Sequence, residues 1–230
     1  MRKAKYLVLG LLLTFSSQLV QAQDSTYISN EYAKALALYQ RAQKYNDSQT
    51  SKQALMEMAL LNPSDTAILR SLAEIYYNSS AFVSSTMVAL DMLAIDPNSV
   101  VAHEIAALSY ENLRLYDKAI EQYEQIWLST ENINILYQVA YLQYSIQRFT
   151  EAKSNLEILD TKVGDEKIAL NKSDGSGQEV SFKAAMLNLR GLIAIEEGNT
   201  EEAKGHFNKA LEMNPDFEAA KLSLEGLNKG

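Results

Sequence analysis

Residues 187–215 read LNLRGLIAIEEGNTEEAKGHFNKALEMNP. The stretch reads as two apolar-periodic helices separated by Gly198-Asn199. A glycine there suits a tight turn that needs a positive φ. Gly191, Ala203 and Ala210 are small where two antiparallel backbones would approach each other, and a large residue such as Phe207 would fill the gap to a neighbouring unit. Pro215 ends the second helix, because a proline drives its predecessor out of the helical region.

The same pattern recurs upstream. Pro63 and Pro97 lie 34 residues apart, each behind an apolar run and an Asn or Asp, and Pro215 follows Asn214 in the same setting. Ser51, Ser85, Ala119, Ala152 and Ala203 occupy one equivalent helical position, spaced by 34, 34, 33 and 51, the last interval being one period plus an insertion of 17. A fixed period of this length is the signature of stacked supersecondary units that share one continuous core.

The unit at 184–217 resembles the tetratricopeptide repeat, with Gly191, Ala203, Phe207, Ala210 and Pro215 at offsets 0, 12, 16, 19 and 24. The third unit repeats much of it with Ala107, Tyr110, Ala119 and Tyr123, and the fourth with Ala140, Arg148-Phe149 and Glu151-Ala152. The first two are looser: Ser51 and Ser85 replace the usual Ala, and Met58 and Met92 stand where the second small residue belongs. The resemblance implies an all-α, right-handed α-solenoid of five helix pairs at 32–65, 66–99, 100–132, 133–166 and 184–217. A final amphipathic helix within 218–230 caps the last pair.

Between the fourth and fifth units the helical period breaks. Residues 167–171 and 178–182 alternate apolar and polar around the turn-like Lys172–Gly177, which predicts a two-stranded hairpin within an insertion at 167–183. Such a hairpin must lay Ile168, Leu170, Val180 and Phe182 against neighbouring helices, because an isolated one is marginal in water. Two roles stay open for it, a tolerated surface insertion or an edge strand offered to a partner.

At the other end, Arg2, Lys3 and Lys5 precede an apolar run from Tyr6 to Phe15 and the small-residue ending Val20-Gln21-Ala22. That is the layout of a secretory signal peptide at 1–22, cleaved after Ala22, with 23–31 as a polar lead-in. A permanent anchor is the alternative, but the run is well short of the ~20 residues a spanning helix requires. No cysteine is present to carry a lipid or a disulfide, so the expected product is a soluble exported protein, periplasmic or secreted, stabilised by packing alone. Losing 1–22 removes three positive charges and no negative one, moving the net charge from −8 to −11. So acidic a chain argues against nucleic acid or an anionic membrane as the main partner.

Residues for catalysis are few. His103 falls where a packing residue belongs, and His206, beside Phe207, is read as lacking a carboxylate or His at ligand spacing. No nucleophile motif, calcium loop or phosphate loop is present, so no enzyme activity, metal or cofactor is expected.

The resemblance instead points to a groove. In tetratricopeptide arrays the first helices of successive units line a concave face that holds an extended peptide or a partner's helix. Positions 5, 9 and 12 of each unit then give the candidate partner-binding residues Arg70, Glu74, Tyr77, Glu104, Leu108, Glu111, Tyr137, Tyr141 and Tyr144, flanked by Leu36, Gln40, Gln43, Asn188, Leu192 and Ile195. The three tyrosines of the fourth unit share one helical stripe, and tyrosine combines apolar area with a polar tip and few rotors. Tyr137 and Tyr144 serve equally well as packing residues, whereas Tyr141 is the stronger binding candidate. Glu74, Glu104 and Glu111 suit a neutral or basic segment of another envelope or secreted protein. A structural subunit docked by the convex face, the termini or the hairpin is the alternative. A glycan-binding or hydrolytic role on Glu104 and Glu111 is the weaker one, because two helical turns, ~10.5 Å of rise, is wide for carboxylates acting on one glycosidic bond.

Overall fold

A computed structural model describes residues 27–229. The signal-like segment 1–22 and the start of the polar lead-in lie outside the described residues. The helices are α1 (27–44), α2 (Ser48–Leu61), α3 (Thr66–Asn78), α4 (Phe82–Ile95), α5 (Val100–Asn112), α6 (Tyr116–Thr130), α7 (Ile133–Ser145), α8 (Phe149–Lys162), α9 (Phe182–Glu196), α10 (Thr200–Met213) and α11 (Glu218–Lys229), with strands β1 (Lys167–Asn171) and β2 (Gly177–Ser181) between α8 and α9. The architecture is the expected all-α series of tandem helix pairs with one hairpin insertion. The lead-in needs correction: 23–31 is helical from residue 27, where Glu31 already pairs with Lys34 at 2.6 Å one turn on.

Each pair closes through the same turn. Asn46, Ser80, Arg114, Gln147 and Gly198 follow the first helix of their pairs with φ of 52°, 59°, 57°, 63° and 80°. The next N–H then reaches back to a carbonyl inside that helix, from 47 to Ala42, 81 to Tyr76, 115 to Tyr110, 148 to Gln143 and 199 to Ala194, at 2.8–2.9 Å. This Schellman closure satisfies carbonyls that the helix end would leave orphaned. The second helices α4, α6, α8 and α10 begin without a side-chain cap, whereas α2 is capped by Asp47, which accepts from Thr50 N–H at 3.0 Å. Three first helices use one too: Asp65 accepts from Ala67 and Ile68, Asn132 from Asn134, and Ser99 from Ala102.

The chain divides into two compact units at Ile105 and Ala106, within α5. In the first, Ala54, Leu55, Met58, Ala73, Ala89 and Met92 are buried between α2, α3 and α4. Ser51 and Ser85 are buried too, and Ser85 Oγ donates to the Ala73 carbonyl at 3.0 Å, which explains how a serine replaces alanine at that contact. The solvent side of α4 remains apolar: Val83 and Met87 are 60% and 63% exposed, with Leu90 and Ile95 also open.

In the second unit a continuous core runs from Leu136 through Leu156, Leu159, Phe182, Leu189 and Phe207 to Phe217. A Cβ on Gly191 would stand 2.5 Å from the Phe207 ring, so the glycine is required by close helix approach. The hairpin pairs Ile168 with Val180 in antiparallel register, turns the buried faces of both residues inward and packs against α9. Phe182, read from the sequence as the end of a strand, is instead the first residue of α9 and fully buried, so the insertion ends at 181. The switch follows from hydrogen bonding: Phe182 N–H still meets the Glu166 carbonyl at 2.9 Å, after which the chain turns into the helix. Ser181 N–H to Asn214 Oδ1 at 2.8 Å and Gln178 Nε2 to the Asp216 carbonyl at 2.5 Å tie the hairpin to the α10–α11 connection.

Candidate partner-binding surface

The nine candidate residues separate on burial and pairing. Tyr137 is 6% exposed, stacks edge-on with Phe182 at 5.5 Å and donates its hydroxyl to the Ala185 carbonyl at 3.3 Å. Burial pushes its phenol well up, and the side chain belongs to the core between the fourth and fifth pairs rather than to a binding face. The correction has a simple cause, since Phe182 opens α9 one turn before Met186 and leaves an aromatic slot that position 5 of α7 fills. Asn188 is likewise buried, and its Oδ1 has no hydrogen-bond partner.

Tyr141 is 44% exposed. Its ring lies 6.2 Å from that of Tyr144, which lies 6.2 Å from Phe149, forming a tilted aromatic row along α7 and onto α8. Tyr144 is half-buried, and its phenol is raised by burial and then by the nearby Glu196 carboxylate. Tyr144, Ser145, Gln147, Phe149 and Glu196 line an open cleft of about 210 Å³ beside this row.

Glu111 is less free than its sequence position implies. Its carboxylate accepts from Tyr123 Oη at 3.0 Å and from Gln138 Nε2 at 3.1 Å on both oxygens, so it ties α5 to α6 and α7. Leu108 is half-buried one turn earlier. In the first unit, Arg70 Nε meets Glu74 Oε1 at 2.8 Å across one exposed turn, so Glu74 already has a cationic neighbour on its own helix. Tyr77 packs edge-on against Phe82 at 5.4 Å, and Glu104 is exposed. The residues the structure brings together as an accessible surface in one unit are thus Tyr141 and Tyr144. Phe149 and Glu196 join them, and sequence numbering missed both because they lie outside positions 5, 9 and 12. The only sequence signal for Phe149 was its place in the fourth-unit motif.

A second cleft, about 200 Å³, lies among α8, α9 and α10. Lys153 pairs with Glu197 at 2.5 Å and His206 Nε2 with Glu202 Oε1 at 3.6 Å within it, while Arg190 pairs at 2.6 Å with Asp160, which lies outside its lining. Glu202 one turn before His206 corrects the reading that no carboxylate lies at that spacing. His206 Nδ1 is buried without a partner, and burial lowers the imidazole pKa despite Glu202. His103 is buried with Nε2 3.0 Å from the Pro97 carbonyl. Among the described residues no group of three or more His, Asp or Glu side chains is placed to hold a metal ion, and no helix is long and apolar enough to cross a membrane.

Residues 184–217 match the tetratricopeptide repeat family. Most of the chain is similar in fold to several solved structures. The crystal structure of MamA protein aligns at a TM-score of 0.61 and 15% identity, over 81% of this chain and 93% of that one. MamA 41-end from Desulfovibrio magneticus RS-1 aligns at 0.59 and 13%, over 82% and 97%. YrrB, described as a TPR protein with an unusual peptide-binding site, aligns at 0.64 and 12%, over 90% and 97%. No curated protein matches in sequence. Residues 184–217 are thus a tetratricopeptide repeat, and the helix pairs around it share the fold of these solved structures.

Proposed function

We propose that the protein is an exported, non-catalytic interaction module that binds a neutral or basic segment of another envelope or secreted protein on the aromatic face of α7. The observation that carries this reading is Tyr141, a large exposed aromatic continuing into Tyr144 and Phe149, with the Glu196 carboxylate at the edge of the adjoining cleft. Such an arrangement offers stacking area, hydroxyl tips and one negative charge, the chemistry of a binding hot spot rather than of a reaction centre. YrrB's peptide-binding site lends support by fold analogy alone.

The test is crosslinking in the native cell envelope followed by mass spectrometry, comparing wild type with Tyr141→Ala, Glu196→Gln. Both side chains reach solvent, so helical content should be unchanged. Loss of one dominant crosslinked protein in the variant supports the assignment, and an unchanged set removes it. Export is checked on the same material: the isolated protein should begin at Gln23, and a retained Met1 would contradict cleavage after Ala22.

A further inference from the structure

The first unit carries an apolar cleft on the helices that the binding face of α7 does not use. Its volume is about 480 Å³. Leu69 and Leu72 of α3 form the floor, Met56 and Leu60 of α2 one wall, and Ile95 with Asp91 of α4 the other. Leu60 is 82% exposed, so this is open apolar surface rather than a sealed core. Exposed apolar residues continue along α4 at Val83, Met87 and Leu90, so each wall helix supplies a stripe at helical spacing.

The sequence of α4, FVSSTMVALDMLAI, shows how unusual this is. A helix that is apolar on every side belongs in an interior, yet one side of α4 faces solvent. Asp91 is its single charged residue, and among the described residues it has neither an ion-pair nor a hydrogen-bond partner. Beyond α4, the next residue is another carboxylate, Asp96. Neither α4 nor the half of α2 that lines the cleft contains a Lys or Arg.

We infer that this cleft is a second docking surface, for an amphipathic helix of another protein whose apolar stripe at i, i+3 or i+4, and i+7 is flanked by Lys or Arg. Two walls of helical stripes over a leucine floor are the shape a helix enters along its axis, and the exposed apolar stripe of α4 from Val83 to Ile95 runs ~18 Å at 1.5 Å per residue, room for about three turns of a partner. Charge decides the occupant. A second copy bringing the same face would set Asp91 against an apolar and acidic surface with no countercharge, whereas a basic flank gives Asp91 the partner it lacks. The surface is independent of Tyr141.

The experiment uses the protein as the cell produces it and two labelled 16-residue helical peptides with one shared Leu stripe, flanked by Lys in one and by Glu in the other, read by fluorescence anisotropy. The Lys peptide should bind more tightly than the Glu peptide. Leu60→Ser, Met87→Ser should weaken it roughly tenfold, as expected for removing two apolar anchors. Asp91→Asn should shrink the preference for Lys over Glu about three- to fivefold, and Tyr141→Ala, Glu196→Gln should leave both affinities unchanged. The inference is overturned if neither peptide binds, if both bind alike, or if the serine variant binds as wild type does. A concentration-dependent dimer in sedimentation that the serine variant dissolves would overturn it in favour of a second copy.

Discussion

Helices α4 and α10 hold the same place in their pairs, 118 residues apart, and meet solvent with opposite chemistry. Helix α10 carries Glu201, Glu202, Lys204, Lys209 and Glu212, whereas α4 carries Asp91 alone. Ion pairing follows: among the described residues two pairs lie in the first unit and nine in the second. The interiors obey one rule with different residues. Gly191 faces Phe207 in the fifth pair, and the corresponding residues of the second are Ala73 and Ala89, both fully buried. Both pairs keep a small residue on the first helix at this contact while the facing residue ranges from Ala to Phe, so the repeat constrains the close approach and leaves the outer surface free to diverge.

The largest effect should come from emptying that contact. Phe207→Ala removes a fully buried ring and should cost about 3–5 kcal/mol, measured by urea denaturation followed at Trp127, which packs against the same core. Gly191→Ala should cost about 1–3 kcal/mol, since its Cβ would strike the ring. Together the two substitutions recreate the Ala73 and Ala89 arrangement, so the double variant should be more stable than Phe207→Ala alone. Simple additivity of the two losses would break the comparison.

The next effect concerns what the two units share. Ser80, Arg114 and Gln147 hold the left-handed turn that Gly198 holds in the last pair, at an expense of roughly 1–2 kcal/mol for a residue with a Cβ. Ser80→Gly in the first unit and Gln147→Gly in the second should therefore each raise stability by about 1 kcal/mol, less the entropy glycine adds to the unfolded chain, and Gly198→Ala should lower it. Thermal unfolding of the three variants checks the signs.

These turns also mark how far the sequence could be read. The period of 34 and the volumes at 191, 203, 207 and 210 were legible because close packing permits few residue types there. The repetition of the left-handed turn was visible only at Gly198, since the Schellman hydrogen bonds are backbone to backbone and let Asn, Ser, Arg and Gln serve as well. Site residues were legible by position and not by accessibility. Tyr137 and Tyr141 are one turn apart and differ only in whether Phe182 of a helix 45 residues away covers them, a contact that no local pattern encodes. Glu111 was misread for the same reason, because Gln138, the side chain that occupies it, comes from the next pair. The apolar side of α4 did have a signal, a 14-residue helix with one charge, which reads as a buried helix until the neighbours fail to cover it.

A smaller effect tests the second unit's charge. Burial holds the His206 imidazole below its ordinary value of 6.5, helped by Arg190 and Lys209 and opposed by Glu202. The unfolded chain therefore takes up a proton at a pH where the folded one does not. Stability should be full above about pH 6.5 and decline as the pH falls below it, levelling once the folded imidazole also titrates. His206→Gln should flatten that limb of the pH profile, measured by denaturation between pH 5 and pH 8. A limb unchanged in the variant would assign the decline to other groups.

The smallest expected effect is the most informative about the first unit. Leu60 corresponds to Glu212 of α10, 152 residues later, so Leu60→Glu gives α2 the residue that the last pair carries at that place. If the side chain's apolar surface serves no intramolecular contact, its replacement should change the folding free energy by no more than about 0.5 kcal/mol, the ordinary range for an exposed position. Binding of a hydrophobic dye should nonetheless fall, because the most exposed large apolar side chain of the cleft has become charged. A loss above about 1 kcal/mol would mean that Leu60 packs within its own pair and that the contrast with α10 is a difference of core, not of surface. Unchanged stability with reduced dye binding leaves an apolar surface that folding does not require, and surface of that kind is retained only where something outside the pair covers it.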